Sequence, residues 1–104
     1  MTSQISAITL TNFGQKIREL RTKKNLLLRQ VAANIEVDTA LMSKIERGER
    51  IASRVQVIKI ANFLNANEEE LLTLWIADKI ESAMVEEPEV AYKALKIANK
   101  NLKK

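Results

Sequence analysis

The chain has no cysteine and no histidine among its 104 residues, and these two absences remove much of the chemistry open to a small protein. A thiolate nucleophile, a disulfide framework, a zinc site of the Cys/His kind and a triad built on imidazole are all excluded. No catalytic residue, no metal site and no cofactor is therefore expected. Glycine and proline are scarce as well, at two and one residues, which argues against a turn-rich all-β fold. The 46% hydrophobic content, with much Leu, Ile, Ala, Lys and Glu, favours helices instead. Long apolar runs are also missing. None approaches the roughly 18 residues that a membrane span needs, and Met1 to Ile8 shows no basic segment followed by an apolar one, so a cytoplasmic protein with no membrane contact is expected.

The net charge is +4, and its distribution is more informative than its total. Residues 1–60 hold eleven Lys/Arg against five Asp/Glu, whereas residues 61–104 hold six against eight. A basic first half suits a polyanion such as nucleic acid, but it equally suits a solvated lysine-rich surface, so charge needs a motif beside it.

Apolar periodicity supplies the elements. Residues 1–10 carry no helical repeat and read as a flexible arm. Asn12 with Gln15 has the spacing of a capping box, and Phe13, Ile17 and Leu20 follow at helical intervals to about Lys24. A break near Asn25 precedes a short helix from Leu28 to Ile35, with Leu28, Val31, Ala32 and Ile35 on one face. Asp38 is placed to cap the next helix, Thr39 to Arg47, which buries Leu41, Met42 and Ile45 and stops at Gly48. Ser53 with Gln56 opens a fourth helix that Asn65 ends, and Asn67 with Glu70 opens a fifth, whose Glu68, Glu69 and Glu70 favour the helix dipole. Pro88 suits the first position of a sixth helix carrying the stripe Ala91, Leu95, Ala98 and Leu102.

The second and third of these helices are too short and too closely joined to lie side by side. Ala32 supplies the small residue that a helix-turn-helix needs at its crossing, and the third helix presents Thr39, Ala40, Ser43, Lys44 and Arg47 outward. A short polar and basic face of this kind suits the major groove of double-stranded DNA.

In FGQKIRELR, QVAANIEV, SKIERGER and IKIANFLNANEEELL, which run without a gap from Phe13 to Leu72, the sequence resembles the lambda-repressor and Cro-like regulators of the XRE family. The resemblance implies a five-helix lambda-repressor-like DNA-binding domain, which within this all-α protein takes residues 11–84; the C-terminal helix over residues 85–104, read from Pro88 and its apolar stripe, is expected to serve self-association. The resemblance also implies DNA base contacts from Thr39, Ala40 and Lys44, DNA backbone contacts from Ser43, Arg47 and Arg50, and a structural Glu46 that ties the third helix to its neighbours. Departures from the family pattern are local. Leu27 and Leu28 stand where Ser/Thr and Gln are usual, and Ala52 stands in place of a common proline. Glu36 replaces the common glycine of the turn, which implies backbone strain or another turn geometry.

The expected function is a sequence-specific transcriptional regulator acting as a homodimer on an operator with two half-sites, nucleoid-associated when bound. Leu72, Trp75 and Ile76, with Ile80, Leu95 and Leu102, are the expected dimerisation residues. In size the chain is similar to controller proteins of restriction-modification systems and to small phage repressors. The alternative is an antitoxin of the same fold, which binds a toxin partner and autoregulates its operon. The acidic clusters at Glu68 to Glu70 and at Glu86, Glu87 and Glu89 read as helix starts and not as an enzyme site.

Overall fold

The computed structural model describes residues 11–103; the expected arm over residues 1–10 lies outside them. The described residues form helices without strands: α1 (Asn12–Lys23), α2 (Leu28–Asn34), α3 (Thr39–Arg47), α4 (Arg54–Phe63), α5 (Glu68–Glu86) and α6 (Pro88–Leu102). This is the all-α architecture read from the sequence, five helices around one core and a sixth beyond it.

Each joint between the first five helices turns on one residue with positive φ. These are Asn25 (φ 59), Glu36 (φ 64), Gly48 (φ 82) and Asn65 (φ 55). Asn and Gly enter this region readily, because Asn bonds locally to its own backbone and Gly lacks a Cβ. Glu36 has neither advantage. It stands in the turn of the helix-turn-helix, where the expected strain is therefore present, and its neighbour Val37 donates its N–H to the Ala32 carbonyl at 3.0 Å to close the turn.

Helix starts follow the local chemistry. The Asp38 carboxylate accepts from the Leu41 N–H at 2.7 Å, the Asn67 carbonyl oxygen accepts from the Glu70 N–H at 2.8 Å, and Ser53 and Gln56 form a reciprocal capping box. The start of α1 differs from the expectation. Thr11, not Asn12, is the capping residue, its hydroxyl accepting from the Gly14 N–H at 2.9 Å. Asn12 is already helical, and its N–H donates to Asp78 Oδ1 at 2.8 Å while the Phe13 N–H donates to Asp78 Oδ2 at 3.0 Å. A carboxylate on α5 thus neutralises the positive end of α1, a role that no local pattern around Asn12 signals.

The core joins all five helices. Phe13 and Ile17 of α1, Val31 and Ala32 of α2, Met42 and Ile45 of α3, Val57, Ile60 and Ala61 of α4, and Leu71 of α5 are buried together with Leu64. Each large side chain among them contributes on the order of 1.5 to 3 kcal/mol by leaving water. In the packing order α1 lies against α3 and α5, α2 against α3 and α4, and α4 against α5. Beyond this core α6 packs on α5 and buries Ala91, while Leu95 and Leu102 remain exposed, Leu102 to 81%.

Gly14 permits the contact between α1 and the end of α3. A Cβ at this position would overlap the Glu46 carbonyl oxygen and would come within 2.8 Å of the Thr11 hydroxyl. Backbone atoms cannot step aside as a flexible side chain can, so the better helix propensity of alanine is outweighed. Gly14→Ala is expected to destabilise the domain by about 2 kcal/mol, read as a lower urea midpoint with an unchanged slope.

Candidate nucleic-acid interface

Two faces of α3 have opposite tasks. The inward face carries Met42, Ile45 and Glu46, all buried. Glu46 is the single buried charged side chain among the described residues, 7% exposed. A carboxylate so placed is tolerable only when it is paired and hydrogen-bonded. Arg21 of α1 meets both needs through a fork, Nε to Glu46 Oε2 at 2.8 Å and Nη2 to Glu46 Oε1 at 3.0 Å. Its remaining Nη1 donates to the Leu26 carbonyl oxygen at 2.9 Å. One guanidinium therefore joins α1, the approach to α2, and α3. The hydrogen bond to Glu46 raises the Arg21 pKa further above its ordinary value, against the opposing effect of burial.

The outward face carries the residues singled out in the sequence. Thr39, Ala40, Lys44, Arg47 and Arg50 are exposed and Ser43 is half-buried. Thr39, Ala40, Ser43, Lys44 and Arg47 share α3, and Arg50 follows in the loop after Gly48. The left-handed Gly48 turns the chain so that the Glu49 N–H donates to the Lys44 carbonyl at 2.8 Å, which folds this loop back over the end of α3.

Arg47 is not free on this face. Its Nε and Nη2 donate to Glu49 at 2.9 and 3.2 Å, and its Nη1 donates to the Ser43 hydroxyl. The pairing raises the Arg47 pKa and holds the Glu49 carboxyl below the usual carboxylate range, with the Lys44 charge adding to the latter effect. Neither the Glu49 partnership nor the Ser43 contact was read from the sequence, although Arg47 and Glu49 stand two positions apart around a glycine.

Leu28, where the family pattern has glutamine, packs against the core, and Leu27 is exposed at the start of α2. Leu27 offers no side-chain acceptor, so the end of α2 is closed from one side only, by the Gln30 side chain accepting from the Leu27 N–H at 2.6 Å.

The residues expected in self-association are divided by the structure. Leu72, Ile76 and Ile80 line one shallow apolar groove on α5, together with Ala77 and the edge residues Glu68, Glu69 and Thr73. Trp75 belongs to another side of α5. It packs against the core, its indole Nε1 donates to the Ala52 carbonyl oxygen at 2.8 Å, and Lys79 Nζ lies 3.7 Å from its ring centre. The indole therefore secures the loop between α3 and α4, at the buried alanine that replaces the family's proline.

Among the described residues no group of His, Cys, Asp or Glu is arranged to hold a metal ion, and no helix is long and apolar enough to cross a membrane.

Comparison with known proteins agrees with this geometry. A family model described as a helix-turn-helix domain matches residues 12–74. An HTH-type transcriptional regulator of Bacillus subtilis (strain 168), RghRB, is 36% identical over 64 residues, which are 61% of this chain and 46% of that protein. The chain thus spans about half the length of the curated relative it matches. Among solved structures, the restriction-modification controller protein C.AhdI from Aeromonas hydrophila is 38% identical, with a TM-score of 0.55 over 59% of this chain and 92% of that one. The clp gene regulator ClgR from Corynebacterium glutamicum shares the fold at 22% identity and a TM-score of 0.57, over 69% of this chain and 94% of that one. These relatives are named as regulators and not as enzymes.

The Arg21–Glu46 fork generates a test of what holds α3. Arg21→Met should cost about 3 kcal/mol, because the Glu46 carboxylate is left buried without a partner, whereas Arg21→Met combined with Glu46→Leu should recover much of that loss. Chemical unfolding of the two variants beside the parent measures both.

Proposed function

The chain belongs to the helix-turn-helix domain family, and from that membership we propose that it is a sequence-specific DNA-binding transcriptional regulator that acts as a homodimer on an operator with two half-sites. The observation that carries the proposal is the division of α3. Its inner face is fixed by Arg21 and Glu46, and its outer face exposes Thr39, Ala40 and Lys44. Positioned in a major groove, Thr39, Ala40 and Lys44 read base edges, and Ser43, Arg47 and Arg50 meet the phosphate backbone.

A single recognition helix touches few base pairs, so useful specificity calls for two copies. The groove of Leu72, Ile76 and Ile80 on α5 and the exposed apolar side chains Leu95 and Leu102 on α6 support a second copy of the chain as their partner. Ile76 and Ile80 are each 45% exposed. Trp75 contributes indirectly, by holding α5 against the loop that carries Arg50.

Selection of bound sequences from a random duplex pool tests the proposal. Recovery of a symmetric site whose halves are about 34 Å apart, one turn of B-DNA, is the expected result; recovery of no preferred sequence would reject it. On the selected site, Lys44→Ala should weaken binding by about 1 to 3 kcal/mol with a smaller effect on random duplex. Arg50→Ala should weaken both alike and flatten the salt dependence by about one unit. Equal losses for Lys44→Ala on both duplexes would move that residue to the backbone class.

Ending the chain after Glu86 removes α6 and leaves the five-helix core whole. Sedimentation should then show weaker dimerisation, with the helical content of the remaining domain retained. A parent chain that sediments as a monomer at tens of micromolar would assign the apolar surfaces of α5 and α6 to a different protein, as in the antitoxin reading.

A further inference from the structure

Glu49 is a carboxylate at the edge of the surface that the proposed function turns toward a polyanion. Its position is set by the backbone, since the Gly48 turn and the bond from the Glu49 N–H to the Lys44 carbonyl bring it back onto the last turns of α3. There it takes two of the three guanidinium nitrogens of Arg47, and Ser43 takes the third. These are the same donors that would fork onto a phosphate. Folding has little need of the pair. Its two side chains are 49% and 46% exposed, and ion pairs this open contribute little to stability. The core contacts of α3 run through Met42, Ile45 and Glu46 on the other face.

We propose that Glu49 is an intramolecular competitor of the DNA phosphate for Arg47. The inference rests on the reading of α3 as the DNA-reading helix. In the free protein the carboxylate occupies the guanidinium and, through it, the Ser43 hydroxyl. On DNA the phosphate displaces the carboxylate, so Arg47 exchanges one anionic partner for another and its net gain is small. The remaining carboxylate also stands close to the phosphate that displaced it. Glu49 thereby restrains binding to duplex of any sequence, because phosphate contacts are common to all of them, and it leaves the base-reading side chains Thr39 and Ala40 untouched.

The test compares the full chain with Glu49→Gln, Arg47→Ala and the double variant. Fluorescence anisotropy on a labelled random-sequence duplex, over a salt series, provides the readout. Glu49→Gln should bind about two- to fivefold more tightly at low salt, the range that an exposed ion pair commands, and its salt dependence should steepen by up to about one unit. In the Arg47→Ala background the same substitution should bring no gain. Thermal unfolding of Glu49→Gln should match the parent, which separates a binding effect from a folding one.

An unchanged affinity and salt slope in Glu49→Gln, with the parent binding duplex normally, would overturn the competition. Weaker binding would overturn it too, and would make Glu49 a residue that positions Arg47 for contact. A gain that persists without Arg47 would show plain repulsion between Glu49 and DNA, again against the proposal. Failure of the parent chain to bind any duplex would instead remove the reading of α3 itself.

Discussion

The buried carboxylate of Glu46 is the constraint around which the helix-turn-helix is assembled. A charge that has lost its water must be met by an opposite charge in fixed geometry, and Arg21 meets it with two parallel hydrogen bonds. Because the third nitrogen of the same guanidinium holds the Leu26 carbonyl, α1, the approach to α2 and α3 share one rigid junction. Met42 and Ile45, both buried, set which side of α3 faces in and how deeply it lies. The fork adds a directional tie between α1 and α3 on that same inward side. Together they leave Thr39, Ala40, Lys44 and Arg47 on the outward side.

Helix α5 completes the arrangement from behind, with residues of different chemistry spaced along one face. Leu71 enters the core, Asp78 receives the first amides of α1, and Trp75 takes the carbonyl of Ala52. The neighbouring strip is less covered: Leu72 is half-buried against the core, and Ile76 and Ile80 are exposed. A helix whose occupied face mixes an apolar, an aromatic and an acidic side chain, with an apolar strip beside it, differs from the simple amphipathic helix suggested by spacing. Asp78 and Trp75 are polar or amphipathic residues that work inside the domain, so apolarity alone does not sort the surface of α5 into covered and open parts.

That same distinction sets what could be read in advance. Caps and stops at Asp38, Gly48, Ser53, Asn65 and Asn67 depend on residues within a few positions of one another, and the chain carries their signals openly. The outward face of α3 follows from helical periodicity. The role of Glu46 was visible only through resemblance, since a glutamate between Ile45 and Arg47 has no local feature that buries it. The Asn12–Gln15 spacing imitates a capping box and masks Thr11, because the partner of the Asn12 N–H, Asp78, is 66 residues away. Trp75 among Leu71, Leu72 and Ile76 suits both the core and a dimer seam, and nothing near it in sequence indicates that the Ala52 carbonyl needs a donor. Gly14 gave no sign of its importance, since a close backbone approach leaves no pattern in one sequence. The Arg47–Glu49 pair has the opposite explanation: both residues were in plain view, and only the left-handed turn at Gly48 brings them face to face.

The four left-handed joints also bear on how quickly the domain finds its fold. Each turns the chain within a few residues, so the contacts of α2 with α3 and of α4 with α5 close at small loop-closure cost, whereas α1 reaches α3 and α5, and α2 reaches α4, across longer loops. The pairing of α1 with α5 through Asp78 is of another kind, because it must gather the two ends of the domain across 66 residues. By loop-closure cost the short-range joints are expected to form early and the pairing of α1 with α5 late; once made, that pairing is secured by Phe13, Ile17 and Leu71 buried in one core as well as by the Asp78 cap, so it is not an easy place for the native state to open.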